Sequence, residues 1–144
     1  GPERERLEHY RDQVQAARAV HFVGHRSDVA ELMPHFHLFW NSSLYEGQSN
    51  ALMEAMQAGV PPLVSDIAGN RDLVRHETEG LLFPVGDVGA LMQGTVRLLD
   101  DKDLYQRCSQ ASQQRIAETF SVEQMVHRHE ALYLQLLEQA SRTK

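Results

Sequence analysis

The sequence predicts an α/β fold, in which a doubly wound parallel sheet carries helices on both faces and the C-terminus is helical. The hydrophobic pattern points to this class, and the length sets the number of domains. Short apolar runs alternate along the chain with longer stretches whose apolar residues recur at helical spacing. The chain also has 144 residues, of which 42% are hydrophobic, and this size suits one domain with one core.

Four short apolar runs are the predicted strands. They span residues 20–23, 38–40, 63–65 and 80–85. Gly24 ends the first run, and the polar loop 41–47 follows the second. Pro61 and Pro62 separate the third run from the preceding helix, because proline cannot continue a helix.

Helical spacing predicts helices before, between and after these strands. The expected ranges are residues 3–18, 28–36, 51–58 and 69–74, with helical structure from residue 88 to the chain end. Residues of N-cap type precede four of the helices, at Ser27, Ser49, Asp87 and Ser121. Gly59 is placed to end the helix 51–58. The apolar residues of helix 88–99 share one face, which predicts packing, and those of the last helix form a stripe from Val122 to Leu137.

Charge and composition exclude several classes of function. Twenty acidic and 14 basic side chains give a net charge of −6, the wrong sign for a protein that binds nucleic acid through its phosphates. No apolar run approaches the roughly 18 residues that a membrane span requires. The single cysteine, Cys108, cannot form an internal disulfide. This favours a cytoplasmic protein, with peripheral contact to the inner face of a membrane left open.

The eight histidines do not predict a metal site. His35 and His37 are two residues apart, as are His127 and His129, and on a helix such pairs point in different directions. No cluster of cysteines or carboxylates supplies the remaining ligands. We therefore expect no bound metal.

The segment 43–59, SLYEGQSNALMEAMQAG, contains the candidate site. It joins a strand end, a polar loop and a helix start, which is where open α/β sheets bind ligands. Asn50, Glu54 and Gln57 form one polar stripe on the helix, and Glu46 precedes it, so both glutamates could face one cleft. The alternative is that the stripe is the solvent-facing side of an amphipathic helix.

The pattern from Val23-Gly24 through LYEGQSNALMEAMQAG to GLLFPVGD resembles the C-terminal, nucleotide-sugar-binding half of GT-B fold glycosyltransferases of family 4. The hallmark of that family is a pair of glutamates separated by seven residues, here Glu46 and Glu54. The resemblance covers about residues 1–139 and includes the segments SDIAGNRDLV and HETEGLLFPVGD. It implies a Rossmann-like fold.

The resemblance also implies roles for individual residues. Glu46 would be the catalytic residue, a carboxylate that accepts hydrogen bonds from the donor sugar and favours positive charge at the anomeric carbon. Backbone amides at a helix N-terminus would bind sugar and diphosphate, from Gly47, Gln48, Ser49 and Asn50. Glu54 would accept hydrogen bonds from the ribose hydroxyls. Further nucleoside contacts would come from Leu52, Gly24, His25 and Arg26. Residues 27–70 contain no Lys or Arg, which agrees with recognition by backbone amides.

The implied reaction is transfer of a sugar from a nucleotide diphosphate donor with retention of anomeric configuration, without metal or other cofactor. The acceptor stays open between a sugar, a lipid-linked sugar and another group. Two alternatives also stay open: a sugar-nucleotide epimerase of related fold, and a non-catalytic module that binds nucleotide sugars. An epimerase would convert or hydrolyse the nucleotide sugar without an acceptor.

By this resemblance, residues 1–144 form a partial domain without the first two strands of the family's sheet. The acceptor-binding N-terminal domain and the diphosphate-binding Arg and Lys would lie outside this chain, so the isolated chain is expected to be inactive. His37, Ser42 and Pro62 depart from the family's usual residues, and these changes concern strand packing. Because the remaining sheet would expose an unpaired edge, we expect either poor stability or pairing of run 20–23 with run 38–40.

Overall fold

Three short parallel strands form the sheet at the centre of the structure, a computed structural model that describes residues 2–142. They are β1 (Phe39–Asn41), β2 (Pro62–Ser65) and β3 (Leu81–Phe83). The order is β1-β2-β3, with Trp40 beside Leu63 and Leu63 beside Leu81. Pro62 occupies the first position of its strand, where a missing N–H is tolerated. The parallel sheet confirms the predicted fold class.

Helices surround the sheet and complete the chain. The first four are α1 (Arg4–Gln13), α2 (Val29–Leu32), α3 (Asn50–Gln57) and α4 (Ala68–Leu73), and a 3-10 helix at Met33–His35 follows α2. The last three are α5 (Val88–Asp100), α6 (Lys102–Thr119) and α7 (Val122–Arg142). The predicted helical C-terminal part is therefore confirmed as far as Arg142, and residues 143–144 lie outside the described residues.

The core lies on both faces of β2, whose four residues are all buried. Side chains alternate between the faces of a strand, so Leu63 and Val64 enter different clusters. The Leu63 cluster contains Leu81, Phe83, Leu98, Leu104 and Cys108. The Val64 cluster contains Leu52, Met56, Leu73, Val74 and Ile116. Helices thus cover both faces of the sheet, as a doubly wound fold requires.

The ends of α3 match the predicted capping residues. The Ser49 side chain accepts a hydrogen bond from the Leu52 amide at 3.4 Å, as an N-cap residue does. Gly59 has a φ of +74° and donates its amide to the Met56 carbonyl at 3.1 Å. A residue in this left-handed conformation after the last turn stops the helix, and glycine adopts it without strain.

Asp87 and Ser121 also cap helices as predicted. The Asp87 carboxylate accepts from the Ala90 amide at 2.8 Å, and the Ser121 hydroxyl accepts from the Gln124 amide at 3.2 Å. The Ser27 prediction is wrong, because α2 begins after Asp28 and no side chain caps it. The predicted helix 28–36 is also divided, since Pro34 lacks the amide that a continuing α-helix would need.

The N-terminal segment differs most from expectation. The helix predicted for residues 3–18 ends at Gln13, and Gln15 has a left-handed φ of +57° that no α-helix can continue through. Residues 20–23 do not form a strand. Phe22 instead lies against α1, where its carbonyl accepts from Arg4 Nη2 at 3.2 Å and its ring faces the Arg11 guanidinium at 5.7 Å.

The proposed pairing of residues 20–23 with β1 is therefore wrong. The sheet of the described residues contains β1, β2 and β3, and β1 forms one of its edges. An apolar run becomes a strand only where a neighbouring strand supplies hydrogen bonds, and here α1 competes for the same run. Whether the exposed edge makes the chain poorly stable stays a prediction.

Two predicted apolar faces are less buried than their spacing suggests. On α5, Leu98 is fully buried, whereas Val88, Met92 and Leu99 are exposed. On α7 the apolar stripe is exposed at Val122, Met125, Val126, Leu132, Tyr133, Leu136 and Leu137. No described helix combines the length and apolar character that crossing a membrane would require.

Cys108 is expected to be chemically inert in the folded chain. Burial raises the pKa of its thiol to about 11, so roughly one thiol in a thousand is ionised at pH 8. Alkylation by iodoacetamide at pH 8 should be far slower for the native chain than for the chain in urea, as measured by mass spectrometry. Equal rates in the two states would show that Cys108 is accessible.

Candidate functional site

The loop between β1 and α3 places Glu46 at the carboxyl end of the parallel strands. Its first turn is set by Asn41, the last residue of β1, whose side-chain oxygen accepts from the Ser43 amide at 2.9 Å. The Ser43 hydroxyl donates to Glu46 Oε1 at 2.8 Å. Glu46 is half-buried, whereas Leu44 and Tyr45 are exposed. The loop thus presents one oriented carboxylate at the edge where parallel sheets bind ligands.

The N-terminus of α3 follows Glu46 directly. Ser49 is buried and caps the helix, while Gly47, Gln48 and Asn50 are exposed. A Cβ added to Gly47 would meet no described atom within 4 Å, so packing within the chain does not explain a glycine there. The first amides of a helix lack intrahelical acceptors and favour an anion. The structure therefore brings together Glu46 and the backbone groups that the sequence singled out.

Glu54 lies on the exposed side of α3, next to a different part of the chain. It lines a cavity of about 280 Å³ together with Gln57, Ala58, Ala30, Met33 and Pro34. This cavity lies between α3 and the segment that contains α2 and the 3-10 helix, and most of its lining is apolar. The predicted polar stripe is exposed at Asn50, Glu54 and Gln57. Exposure agrees both with ligand contact and with a solvent-facing helix side.

Leu52 lies apart from the other predicted nucleoside contacts. Its side chain is fully buried in the core cluster with Met56 and Val64. The side chain is therefore a packing group in this structure, and only the Leu52 backbone, whose amide bonds to the Ser49 cap, is close to the helix N-terminus.

The predicted base-contacting turn is exposed at Gly24, His25 and Arg26. Gly24 has a φ of +71°. Gly24 and His25 line a cavity of about 810 Å³ whose other residues come from α1 and the segment before the turn. The turn therefore borders a cavity other than the one that Glu54 lines.

Two arginines near the site are neutralised by aspartates. Arg26 Nε donates to Asp28 Oδ1 at 2.8 Å, and this hydrogen bond lowers the pKa of Asp28. Arg71 Nη2 donates to Asp66 Oδ2 at 3.0 Å, and hydrogen bonding by Arg71 lowers the pKa of Asp66. Both aspartates are thus held ionised, so neither arginine offers an unpaired charge to an anionic ligand.

A second layer of polar residues, which no sequence motif singled out, lies behind Glu46. Ser65 ends β2 and donates its hydroxyl to the Ser43 carbonyl at 2.6 Å. Asn70 in α4 donates Nδ2 to the Ser65 carbonyl at 2.8 Å and to the Ser65 hydroxyl at 3.3 Å. Both side chains are fully buried. A small polar residue at the end of a buried strand was the signal that could have indicated Ser65.

Gly69 brings α4 against the Glu46 loop. A Cβ on Gly69 would lie 1.9 Å from the Gly47 carbonyl oxygen and 2.5 Å from that of Glu46. Real Cβ atoms do not approach other atoms so closely, and only glycine permits this backbone contact. The position of the loop that carries Glu46 therefore depends on α4 as well as on β1.

Several curated relatives of this chain are named as glycosyltransferases. The UDP-Gal:alpha-D-GlcNAc-diphosphoundecaprenol alpha-1,3-galactosyltransferase of Escherichia coli is 29% identical over 128 residues, 89% of this chain and 33% of that protein. The N-acetyl-alpha-D-glucosaminyl L-malate synthase of Bacillus anthracis is 30% identical over 118 residues, 82% of this chain and 31% of that protein. The chain thus spans about a third of the length of each relative.

Solved structures share the fold. The sucrose-phosphate synthase of Thermosynechococcus elongatus superposes with a TM-score of 0.87 at 28% identity, over 96% of this chain and 35% of that one. HepE of Anabaena, in complex with UDP, superposes with a TM-score of 0.83 over 91% of this chain and 36% of that one. The HepE identity is 23%, so this second likeness concerns the fold alone.

A family model described as glycosyl transferases group 1 matches residues 1–101. This match covers all three strands and the loop that carries Glu46. The parallel sheet, the flanking helices and the structural neighbours identify the fold as the Rossmann-like GT-B type. The chain therefore belongs to the glycosyl transferases group 1 family.

Proposed function

We propose that this chain forms the donor-binding side of a retaining glycosyltransferase of the family 4 type. The observation that carries the proposal is the placement of Glu46. Its half-buried carboxylate is oriented by Ser43 at the carboxyl end of the sheet, directly before the capped N-terminus of α3. A fixed carboxylate beside a group of unpaired amides suits a ligand that carries both hydroxyls and phosphates.

In this proposal, Glu46 accepts hydrogen bonds from hydroxyls of the donor sugar. Its negative charge also stabilises the positive charge that develops at the anomeric carbon as the leaving group departs. The diphosphate lies against the amides of residues 47–50, where the helix dipole favours negative charge. Open space beside Gly47 supports this arrangement, because a ligand can approach the backbone closely there.

The nucleoside occupies the side of α3 that Glu54 faces. The Glu54 carboxylate accepts from the ribose hydroxyls, and the apolar wall formed by Ala30, Met33 and Pro34 lies next to it. The turn at residues 24–26 contacts the base through main-chain groups. A relative supports a nucleotide-sugar donor, since the Escherichia coli protein is named for UDP-Gal.

The proposed reaction exchanges one bond at the anomeric carbon for another on the same face of the sugar. The bond to the leaving phosphate oxygen breaks while the bond to the acceptor oxygen forms. The acceptor's proton passes to that phosphate oxygen, so the protein need not supply a base. The acceptor and the residues that bind it would come from outside the described residues, and no metal is part of the proposal.

Replacing Glu54 with alanine should weaken binding of both UDP and UDP-glucose about tenfold, because both ligands carry the ribose that loses its charged hydrogen-bond partner. Isothermal titration calorimetry of the full chain measures this, using UDP-, GDP- and ADP-sugars to find the base that the chain binds. If another base is preferred, the corresponding nucleotide and sugar replace the UDP pair.

Glu123→Ala is the matched control and should leave the affinity for both ligands unchanged. Glu123 is an exposed glutamate in the first turn of α7. Failure of the folded chain to bind any of these donors would refute the donor site. Unchanged affinity in Glu54→Ala, with binding by the wild type, would refute the ribose role alone.

A further inference from the structure

We infer that Ser43, Ser65 and Asn70 act as positioning residues that hold Glu46 in the orientation needed for recognition of the donor sugar. The inference rests on the proposed function and adds residues that determine specificity for the sugar. A continuous series of hydrogen bonds leads from the buried core to the carboxylate. It runs from Asn70 to Ser65, from Ser65 to the Ser43 backbone, and from the Ser43 side chain to Glu46.

The direction of each hydrogen bond in the series is determined by the number of protons available. A serine hydroxyl has one proton to donate. Asn70 Nδ2 can only donate, so the Ser65 hydroxyl accepts from it and donates its single proton to the Ser43 carbonyl. The Ser43 hydroxyl likewise gives its single proton to Glu46 Oε1, because an ionised carboxylate can only accept.

The buried end of the series is rigid. Ser65 and Asn70 are both fully buried, and Ser65 is paired within the central strand opposite Phe83. Asn70 Nδ2 also donates a second hydrogen bond to Ser65, to its carbonyl oxygen at 2.8 Å. Side chains in such surroundings have little rotational freedom. These hydrogen bonds therefore hold the Ser43 backbone at a fixed position relative to the core.

The side chains directly before Glu46 add little packing to the loop. Leu44 and Tyr45, which precede Glu46, are 78% and 87% exposed, so their side chains anchor nothing in the core. The Ser43 backbone is held by hydrogen bonds on both sides, from its amide to Asn41 and from Ser65 to its carbonyl. Without these bonds the Glu46 carboxylate would sample several rotamers, and ordering it on binding would cost affinity.

The arrangement also determines which carboxylate oxygen meets the ligand. Ser43 occupies one acceptor position on Oε1, which leaves Oε2 as the principal acceptor for sugar hydroxyls. A single oriented oxygen distinguishes sugars by the position of their hydroxyls better than a freely rotating carboxylate does, since a misplaced hydroxyl leaves its partner unpaired. The series of hydrogen bonds therefore affects recognition of the sugar and not binding of the nucleotide.

The test compares affinity for a nucleotide sugar with affinity for the nucleotide alone. Calorimetry on the full chain uses UDP-glucose, UDP-galactose, UDP-N-acetylglucosamine and GDP-mannose, each against UDP or GDP. Ser43→Ala should weaken binding of the preferred donor about tenfold, through loss of a charge-assisted hydrogen bond. Affinity for the nucleotide alone should stay within about twofold. Ser43→Thr, which keeps the hydroxyl, should restore donor binding.

Ser109→Ala is the matched control for Ser65→Ala. The Ser109 hydroxyl donates to the Gly59 carbonyl at 2.7 Å, a bond of the same kind as that from Ser65 to Ser43. Both variants should lower the melting temperature measured by circular dichroism, but only Ser65→Ala should reduce the preference for nucleotide sugar over nucleotide. General loosening of the fold would lower the affinity for the nucleotide sugar and for the nucleotide to the same extent, and that result would refute the inference.

The outcomes separate the inference from the function on which it rests. If the wild-type chain binds no donor, the proposed function fails and the sugar-positioning role fails with it. If the wild type binds a donor and Ser43→Ala binds it equally well, the positioning role is refuted while the donor site stands. Selective loss of the sugar contribution in Ser43→Ala and Ser65→Ala supports both.

Discussion

Replacing Arg75 with alanine is expected to lower the free energy of unfolding by more than the loss of an exposed ion pair does. The Arg75 side chain is 63% exposed, but its loss leaves the buried carboxylate of Glu79 without its cation. Glu79 is fully buried. Its Oε1 accepts from Arg75 Nε at 2.9 Å and its Oε2 from the Arg75 amide at 2.8 Å. The variant would keep only the amide, which does not compensate a full charge in the interior.

Urea denaturation followed by circular dichroism measures this loss, and Arg97→Ala provides the control. Arg97 pairs with Glu77, and each side chain is 47% exposed. An exposed pair contributes less than about 1 kcal/mol because water solvates both partners once it is broken. A loss in Arg75→Ala no greater than in Arg97→Ala would show that Glu79 is hydrated when its partner is removed.

Gly69→Ala is expected to displace the loop that carries Glu46, with loss of both stability and donor affinity. The new Cβ would overlap the carbonyl oxygens of Gly47 and Glu46, and backbone atoms cannot rotate away as a side chain can. Overpacking of this kind costs about 1–3 kcal/mol. A shift of the carboxylate by a fraction of an ångström should weaken donor binding about tenfold or more.

Gly94→Ala is the matched control, since Gly94 is also a helical glycine with a close neighbour. There the new Cβ would meet the methyl carbon Leu63 Cδ1 at 2.9 Å, a side-chain atom and not the backbone of the Glu46 loop. We expect some loss of stability from crowding in the core but no change in donor affinity, measured by denaturation and by calorimetry. If Gly69→Ala binds the donor as tightly as Gly94→Ala does, α4 does not position the loop.

Local signals in the sequence were sufficient for most elements of the fold. Ser49, Gly59 and Asp87 act where they were predicted to act, because capping depends on residues three or four positions apart. Most strand ends differ by one or two residues from their predicted positions, as with β1 at Phe39–Asn41. Strand ends depend on the register with a neighbour, which a single apolar run does not contain.

The candidate site, like the fold, could be predicted from the sequence only in part. Glu46 and the loop before α3 were recognisable from a motif within one contiguous segment. Ser65, Gly69 and Asn70 lie some twenty residues further along, and their contact with the loop arises because β1 and β2 are neighbours in the sheet. Leu52 shows the converse, since a residue inside the motif turned out to face the core.

The sequence by itself determined the fold class, the family and the segment that bears the candidate site. These follow from periodicity, capping residues and a compact motif, all of which act over one or two turns of chain. Only the tertiary structure decided that residues 20–23 lie against α1, that the α7 stripe is exposed, and that buried polar residues support Glu46. The reason is that burial, strand pairing and hydrogen bonds between distant segments depend on which neighbours the folded chain brings into contact.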